Sequence, residues 1–195
     1  IREVRLALGN ARERIVAPGY RLIIDSTLAD VYLVCSWNRS RIIGRPVVYV
    51  VIDASTSTIV GLHVTLHSPS ATQAKHALYR ALTNKSAWLS RFGLHKYLHL
   101  LPAAPLPYEL VYDRGELHSL EGEEIRAALG IGAGVPAPFF AEWKAIVERT
   151  FKTSNDYLIH WLPGSTHGRQ RVRGEHDVRL DAVLTLHEFT QLMLH

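Results

Sequence analysis

A single cysteine, Cys35, stands in the 195 residues of this chain. Without a second thiol it can close no internal disulfide and build no cysteine-based zinc knuckle, so a reducing compartment is the natural setting. Cys35 itself reads as a small buried apolar residue. Long apolar runs are missing too. No stretch approaches the roughly 18 consecutive apolar residues of a membrane helix, and the N-terminus lacks the charged start and apolar middle of a signal peptide. A cytoplasmic protein with no membrane partner is expected. Positive charge is in only small excess: the formal net charge is +4 and the sequence pI about 9.3. That balance is compatible with a polyanionic partner without requiring one. Internal repeats are absent as well, which excludes solenoid and propeller architectures.

What remains is an ordinary globular composition, 47% hydrophobic and 21% charged, in a chain of one-domain length. Because it begins at Ile1 and ends inside an apparent helix at His195, it is expected to be a piece of something longer. Residues 1–17, with Arg2, Arg5, Arg12 and Arg14 among apolar residues, read as a connector punctuated by Pro18-Gly19. Residues 18–195 read as one domain.

Tyr20 to Ile24 is an apolar run that stops at Asp25. Ala29 to Cys35 is its continuation or a separate short strand, and Arg39 to Arg45 a basic turn. Val47 to Ile52 is apolar at every position, as a strand buried on both faces should be, and Ile59 to His67 alternates; Asp53 to Thr58 between them turns the pair into a hairpin. Ser70 to Leu82 has helical spacing, with Lys85 to Phe92 a second helix. Pro102, Pro105 and Pro107 impose an extended loop. Leu106 to Tyr112 is the next strand, Leu120 to Leu129 a helix closed by Gly130, and Ile131 to Val135 a short strand. A long helix follows from Phe139 to Leu158. Thr185 and Glu188 make a capping box that opens a last helix over Leu186 to Leu194. The pattern predicts a mixed, five-stranded sheet flanked by helices.

Two of these strands end on a carboxylate, Asp25 and Asp113, at the point where a side chain faces water from a rigid backbone. A third acid, Glu148, lies on the long helix. There Phe140, Trp143, Val147 and Phe151 fall within roughly 40° of one line and form the core-facing stripe, with Glu148 on its flank. Three hard oxygen ligands suit Mg²⁺ or Mn²⁺. Two such ions, roughly 3.5 to 4 Å apart, would serve an in-line phosphoryl displacement. Taken singly, each acid has an ordinary explanation: an Asp after a strand shapes a turn, and Glu148 between Lys144 and Lys152 makes a solvated pair. The combination of the three is what points to chemistry. Asp53 also ends an apolar strand, but Ser55 to Thr58 mark it as a turn-forming Asp, and Asp30 has no motif behind it.

At these residues the sequence resembles the DDE transposases and retroviral-type integrases, and most of all the TnsB subunits of bacterial heteromeric transposons. The resemblance runs from Pro18 to about Leu192. It is carried by Ile24-Asp25-Ser26-Thr27, by Arg45-Pro46 leading to Ile52-Asp53 with Ser57 and Ile59-Val60-Gly61, by Tyr112-Asp113-Arg114-Gly115-Glu116, by Ala128-Leu129-Gly130-Ile131, and by Lys144 with Val147-Glu148-Arg149 and Phe151. Asp113 and Glu148 are 35 positions apart, near the family's separation, and Asp25 precedes Asp113 by 88. The resemblance implies a ribonuclease H-like fold with Asp25, Asp113 and Glu148 as catalytic triad and metal ligands. It implies a reaction in which water frees the 3′ end of an element and that 3′ hydroxyl attacks target DNA. Its implied partners are transposon-end and target DNA, a companion endonuclease, an ATPase regulator and further copies of the full-length protein assembled on DNA. Two other functions share these residues: a ribonuclease H-like nuclease that does not join, and a non-catalytic DNA-binding or assembly module.

Lys144, Arg149 and Lys152 around Glu148, and Arg169, Arg171 and Arg173 in a glycine-rich loop, are the expected phosphate contacts. Other motifs fail. His95 and His99 flank Lys96 where a zinc protease needs Glu, His63 and His67 line a half-exposed strand face, and Gly130-Ile131-Gly132-Ala133-Gly134 follows a helix rather than a strand.

Overall fold

The computed structural model describes residues 17–112, 120–131, 141–169 and 174–195. Its centre is strand β4 (Val47–Asp53), whose seven residues are all buried. A run apolar at every position can satisfy its backbone only between two neighbours, and β4 has both. On one side lies β5 (Ile59–Thr65), antiparallel, with Val50 opposite Leu62. On the other lies β1 (Arg21–Leu28), also antiparallel, with Asp25 opposite Val50. β1 in turn pairs in parallel with β6 (Glu109–Tyr112). The sheet is mixed, in the order β5-β4-β1-β6. A separate two-stranded ladder joins β2 (Leu33–Val34) to β3 (Ile42–Gly44).

Strand alternation sorts the sheet into two faces. On one, Leu22, Ile24, Tyr49, Val51, Val60 and Leu110 meet helix α1 (Ala71–Leu82). That helix presents Ala71, Ala74, Ala77 and Ala81, and the short side chains let it press onto β5. At Gly61 a Cβ would stand 2.7 Å from the Ala77 carbonyl oxygen and 2.8 Å from Ala81 Cβ. Only glycine fits that approach. Ser70 caps α1 by accepting from Gln73 N, and α3 (Leu120–Leu129) adds Leu129 and, just beyond it, Ile131 to the same face.

On the other face Ile23, Val48, Val50, Ile52, Leu62, Val64 and Val111 pack under larger groups. These come from α2 (Ser86–Ser90), α4 (Ala141–Tyr157) and α5 (Leu186–Leu194), with Leu89, Val147 and Phe189 at 0 to 1% exposure. The capping box of α5 forms as its sequence predicts: Thr185 Oγ1 accepts from Glu188 N, and the Glu188 carboxylate accepts from Thr185 N at 2.8 Å. Arg39 donates to that carboxylate, which with the Thr185 backbone holds its pKa down at about 2.

Four readings of the sequence change. β1 does not stop at Asp25 but runs on to Leu28, because β4 continues to accept and donate as far as Val47 opposite Leu28. β6 begins at Glu109 rather than Leu106, since Pro105 and Pro107 have no N–H to offer a ladder. Within the basic turn, Ile42 to Gly44 form a strand. The second helix shortens to Ser86–Ser90. The main sheet has four strands among the described residues; of the expected strand Ile131 to Val135 all but Ile131 lies outside them.

Lys85, 1% exposed, is tied at the end of α1 by donating to the carbonyls of Ala81 at 3.3 Å, Thr83 at 3.5 Å and Pro102 at 2.9 Å. Burial pushes its pKa down to about 8.

Candidate active site on the helix-covered face

The parallel ladder between β1 and β6 pairs Arg21 with Glu109, Leu22 with Leu110, Ile23 with Val111 and Ile24 with Tyr112. The next residues along the chain are Asp25 and Asp113. Arg21 and Glu109 form an ion pair across the far end of this ladder, with the Arg21 side chain 9% exposed. This pair clamps β1 to β6. Sequence reading missed it because the partners are 88 positions apart and only the register brings them face to face.

Asp25 is half-buried, and its Oδ1 accepts from Ser26 N at 2.8 Å. By alternation it shares a face with Ile23, and it lies opposite Val50; both belong to the core cluster under α4. Val111, two positions before Asp113, is in that cluster too. So is Val147, immediately before Glu148, with Ile146 and Phe151 packed at its border. Glu148 is exposed. The predicted stripe of α4 therefore faces the core at Val147 and Phe151; Phe140 and the side chain of Trp143 are outside the description.

Asp113 is also outside the described residues, and among those described no three His, Cys, Asp or Glu side chains gather as a metal site. Of the expected phosphate contacts, Arg149, Lys152 and Arg169 are exposed. Lys152 turns to Asp156 at 3.9 Å, an i,i+4 pair, instead of to Glu148. The side chain of Lys144, and Arg171 and Arg173 altogether, lie outside the description.

The neighbouring acids are engaged elsewhere. Asp53, 5% exposed, accepts from Gly19 N, Ser55 N, Ser55 Oγ and Thr56 N, at 2.5 to 3.3 Å. These bonds fasten the hairpin turn, in which Ser57 takes a left-handed φ of 57°. Asp30 pairs with Arg45 at 2.5 Å, accepts from Thr166 Oγ1 at 3.4 Å and lies 3.5 Å from His160 Nε2. It is a knot between the end of β1 and the segment after α4. Among the described residues the histidines make no cluster for a metal: His63 Nε2 meets Gln73 Oε1 at 2.9 Å, burial lowers its pKa, and His99 Nδ1 meets the Lys96 carbonyl.

Residues 23–164 match the family model described as the TnsB C-terminal domain. Over 194 residues the chain is 36% identical to the Transposon Tn7 transposition protein TnsB of Escherichia coli; the alignment covers 99% of this chain and 28% of that protein.

Proposed function

We propose that this chain, which belongs to the TnsB C-terminal domain family, carries in residues 18–195 a ribonuclease H-like DDE core that cuts DNA at transposon 3′ ends and joins the freed 3′ hydroxyl to target DNA. Residues 1–17 are its connector. One observation carries the reading: Ile23, Val111 and Val147 meet in a single core cluster on one face of the sheet. Each stands one or two positions before an acid, so β1, β6 and α4, which carry or lead along the chain to Asp25, Asp113 and Glu148, are packed against one another. The identity to a transposition protein over nearly the whole chain supports the same role.

Three carboxylates form a hard oxygen donor set that fits Mg²⁺ or Mn²⁺. When bound, two such ions supply Lewis acidity to the attacking and leaving oxygens of a phosphodiester. The chain's own residues do the placing. Asp25 is fixed mid-strand between the β4 ladder and the last described pair of the β6 ladder, so its carboxylate has little freedom to drift. Glu148, exposed at the rim of a helix anchored by Val147, can turn towards the sheet without disturbing the core. Arg149 and Lys144, its neighbours on α4, and Arg169, Arg171 and Arg173 hold DNA phosphates and position the strand without reading sequence. A companion endonuclease, an ATPase regulator, self-assembly on DNA and a bacterial cytoplasmic setting belong to this proposal by family. No described helix is long and apolar enough to cross a membrane.

The test uses the full-length protein that contains this chain, supplied with a pre-cut 3′ transposon end, target DNA and Mg²⁺. Joined product that disappears in each of Asp25→Ala, Asp113→Ala and Glu148→Ala is the expected result. Hydrolysis without joining would mark a nuclease. A second reading, a non-catalytic DNA-binding or assembly module, draws on the matched family being described as a C-terminal domain and on the chain spanning 28% of its relative. Joining activity retained in all three variants would establish that second reading.

A further inference from the structure

Away from the acids, a groove of about 520 Å³ opens where the end of β5 meets the β2–β3 ladder, α2 and the start of α5. Neither Asp25 nor Glu148 lines it. Its floor is aliphatic, with Val34, Ile43, Val64 and Leu186. Its rim is cationic: Arg80 from α1 and Arg91 just past α2 stand there, and no lining residue is acidic. Neither arginine forms an ion pair among the described residues, and burial together with the nearby Arg91 charge lowers the Arg80 pKa. Two cations with no counter-charge repel one another, and a carboxylate seated between them relieves the repulsion.

The ring arrangement separates two kinds of acidic occupant. The Arg80 guanidinium lies 4.4 Å over Trp88, Trp88 meets Phe92 edge-on, and Phe92 stacks on His187 with centroids 4.6 Å apart. With Arg80 laid over Trp88 and Phe92 stacked on His187, these rings offer a nucleobase little free face to stack on. An aliphatic floor takes an apolar side chain instead. Trp37, 84% exposed at the mouth, would serve either occupant and decides nothing.

We propose that this groove docks an acidic peptide segment of a partner protein, whose apolar side chain fills the floor while its carboxylates pair with Arg80 and Arg91. The proposal stands independently of the catalytic reading.

Its test is fluorescence anisotropy on this chain with a fluorescein-labelled peptide of about 12 residues, Asp and Glu flanking a central Leu-Phe-Leu. The expected result is saturable binding that weakens about tenfold in Arg91→Glu, in Arg80→Glu and in 0.5 M salt. Leu66→Ser, at a 40% exposed floor-edge position, tests the apolar half without adding charge beside the cations, and should weaken binding to a similar degree. Circular dichroism of each variant confirms folding. Equal binding of a peptide with Ser in place of Leu-Phe-Leu would reduce the site to polyanion attraction and overturn the proposal. An oligo-dT of similar length that binds and is lost with Arg91→Glu would make the groove a nucleic-acid surface instead. Failure of the acidic apolar peptide to bind at all would also refute it.

Discussion

The two faces of the sheet are closed by different materials. Under α1 the contact is alanine on glycine: Ala77 and Ala81 sit against Gly61 so closely that no methyl group can be added. Under α4, the turn that follows it and α5, the contact is made by Val147, Ile159 and Phe189, branched and aromatic side chains in one cluster with the Val and Leu of β4 and β5. The alanine face sets the distance between helix and sheet and tolerates no enlargement. The other face depends on volume and tolerates no loss. Asp25 and the helix that bears Glu148 belong to the second face, where the packing is adjustable at the rim and acids can stand beside the core.

The sharpest way to break the comparison is to remove volume from the acid-bearing face. Phe189→Ala, at a position with 0% exposure, should lower the unfolding free energy by about 3 to 5 kcal/mol, read from the urea midpoint. Adding volume there at a rim position would do far less. On the alanine face the direction is reversed. Gly61→Ala on β5 adds one methyl group against backbone, and should cost about 1 to 3 kcal/mol, whereas Ala74→Gly on the facing helix α1 should cost only about 1 kcal/mol, through helix propensity. Differential scanning calorimetry of the pair checks the asymmetry.

A smaller effect sharpens the account of how α1 ends. The folded pKa of Lys85 is about 8, against 10.5 for an unperturbed lysine. Between those values the unfolded chain holds a proton that the folded chain has released, so stability rises with pH across that window and is level in this term below it. Lys85→Met, which strips the donor from three carbonyls, removes this slope. Urea midpoints at pH 7 and pH 10 should diverge, with the wild type gaining on the variant by about 1 to 3 kcal/mol. A parallel pair of curves would mean that the lysine keeps its proton.

What the sequence made legible was local. The hairpin from Val47 to Thr65 announces itself by a fully apolar run, an Asp-Ala-Ser-Thr turn and an alternating run. Helix α1 shows in its alanine spacing, α3 in its Gly130 stop, with φ of 63°, and α5 in its capping box. Ser55 to Thr58 mark Asp53 as a turn-forming residue, and its hydrogen bonds are those of such a turn. The extent of β1 was not legible. Asp25-Ser26-Thr27 reads as the end of a strand, and only the pairing with β4 holds it extended to Leu28. Nor could spacing reveal that Arg21 faces Glu109 or that Lys85 is buried, since both depend on which distant segments meet. The meeting of Ile23, Val111 and Val147 in one cluster is of the same kind: it depends on the sheet register and on the packing of α4, which no spacing reveals.

The central claim, that Asp25, Asp113 and Glu148 form one metal site, is tested most directly by anomalous scattering from crystals of this chain soaked in Mn²⁺. The account predicts a peak at coordination distance, about 2.0 to 2.4 Å, from carboxylate oxygens of both Asp25 and Asp113, which vanishes in Asp25→Asn while the melting temperature stays within a few degrees. Density absent at saturating Mn²⁺, or found only at other carboxylates, would contradict it.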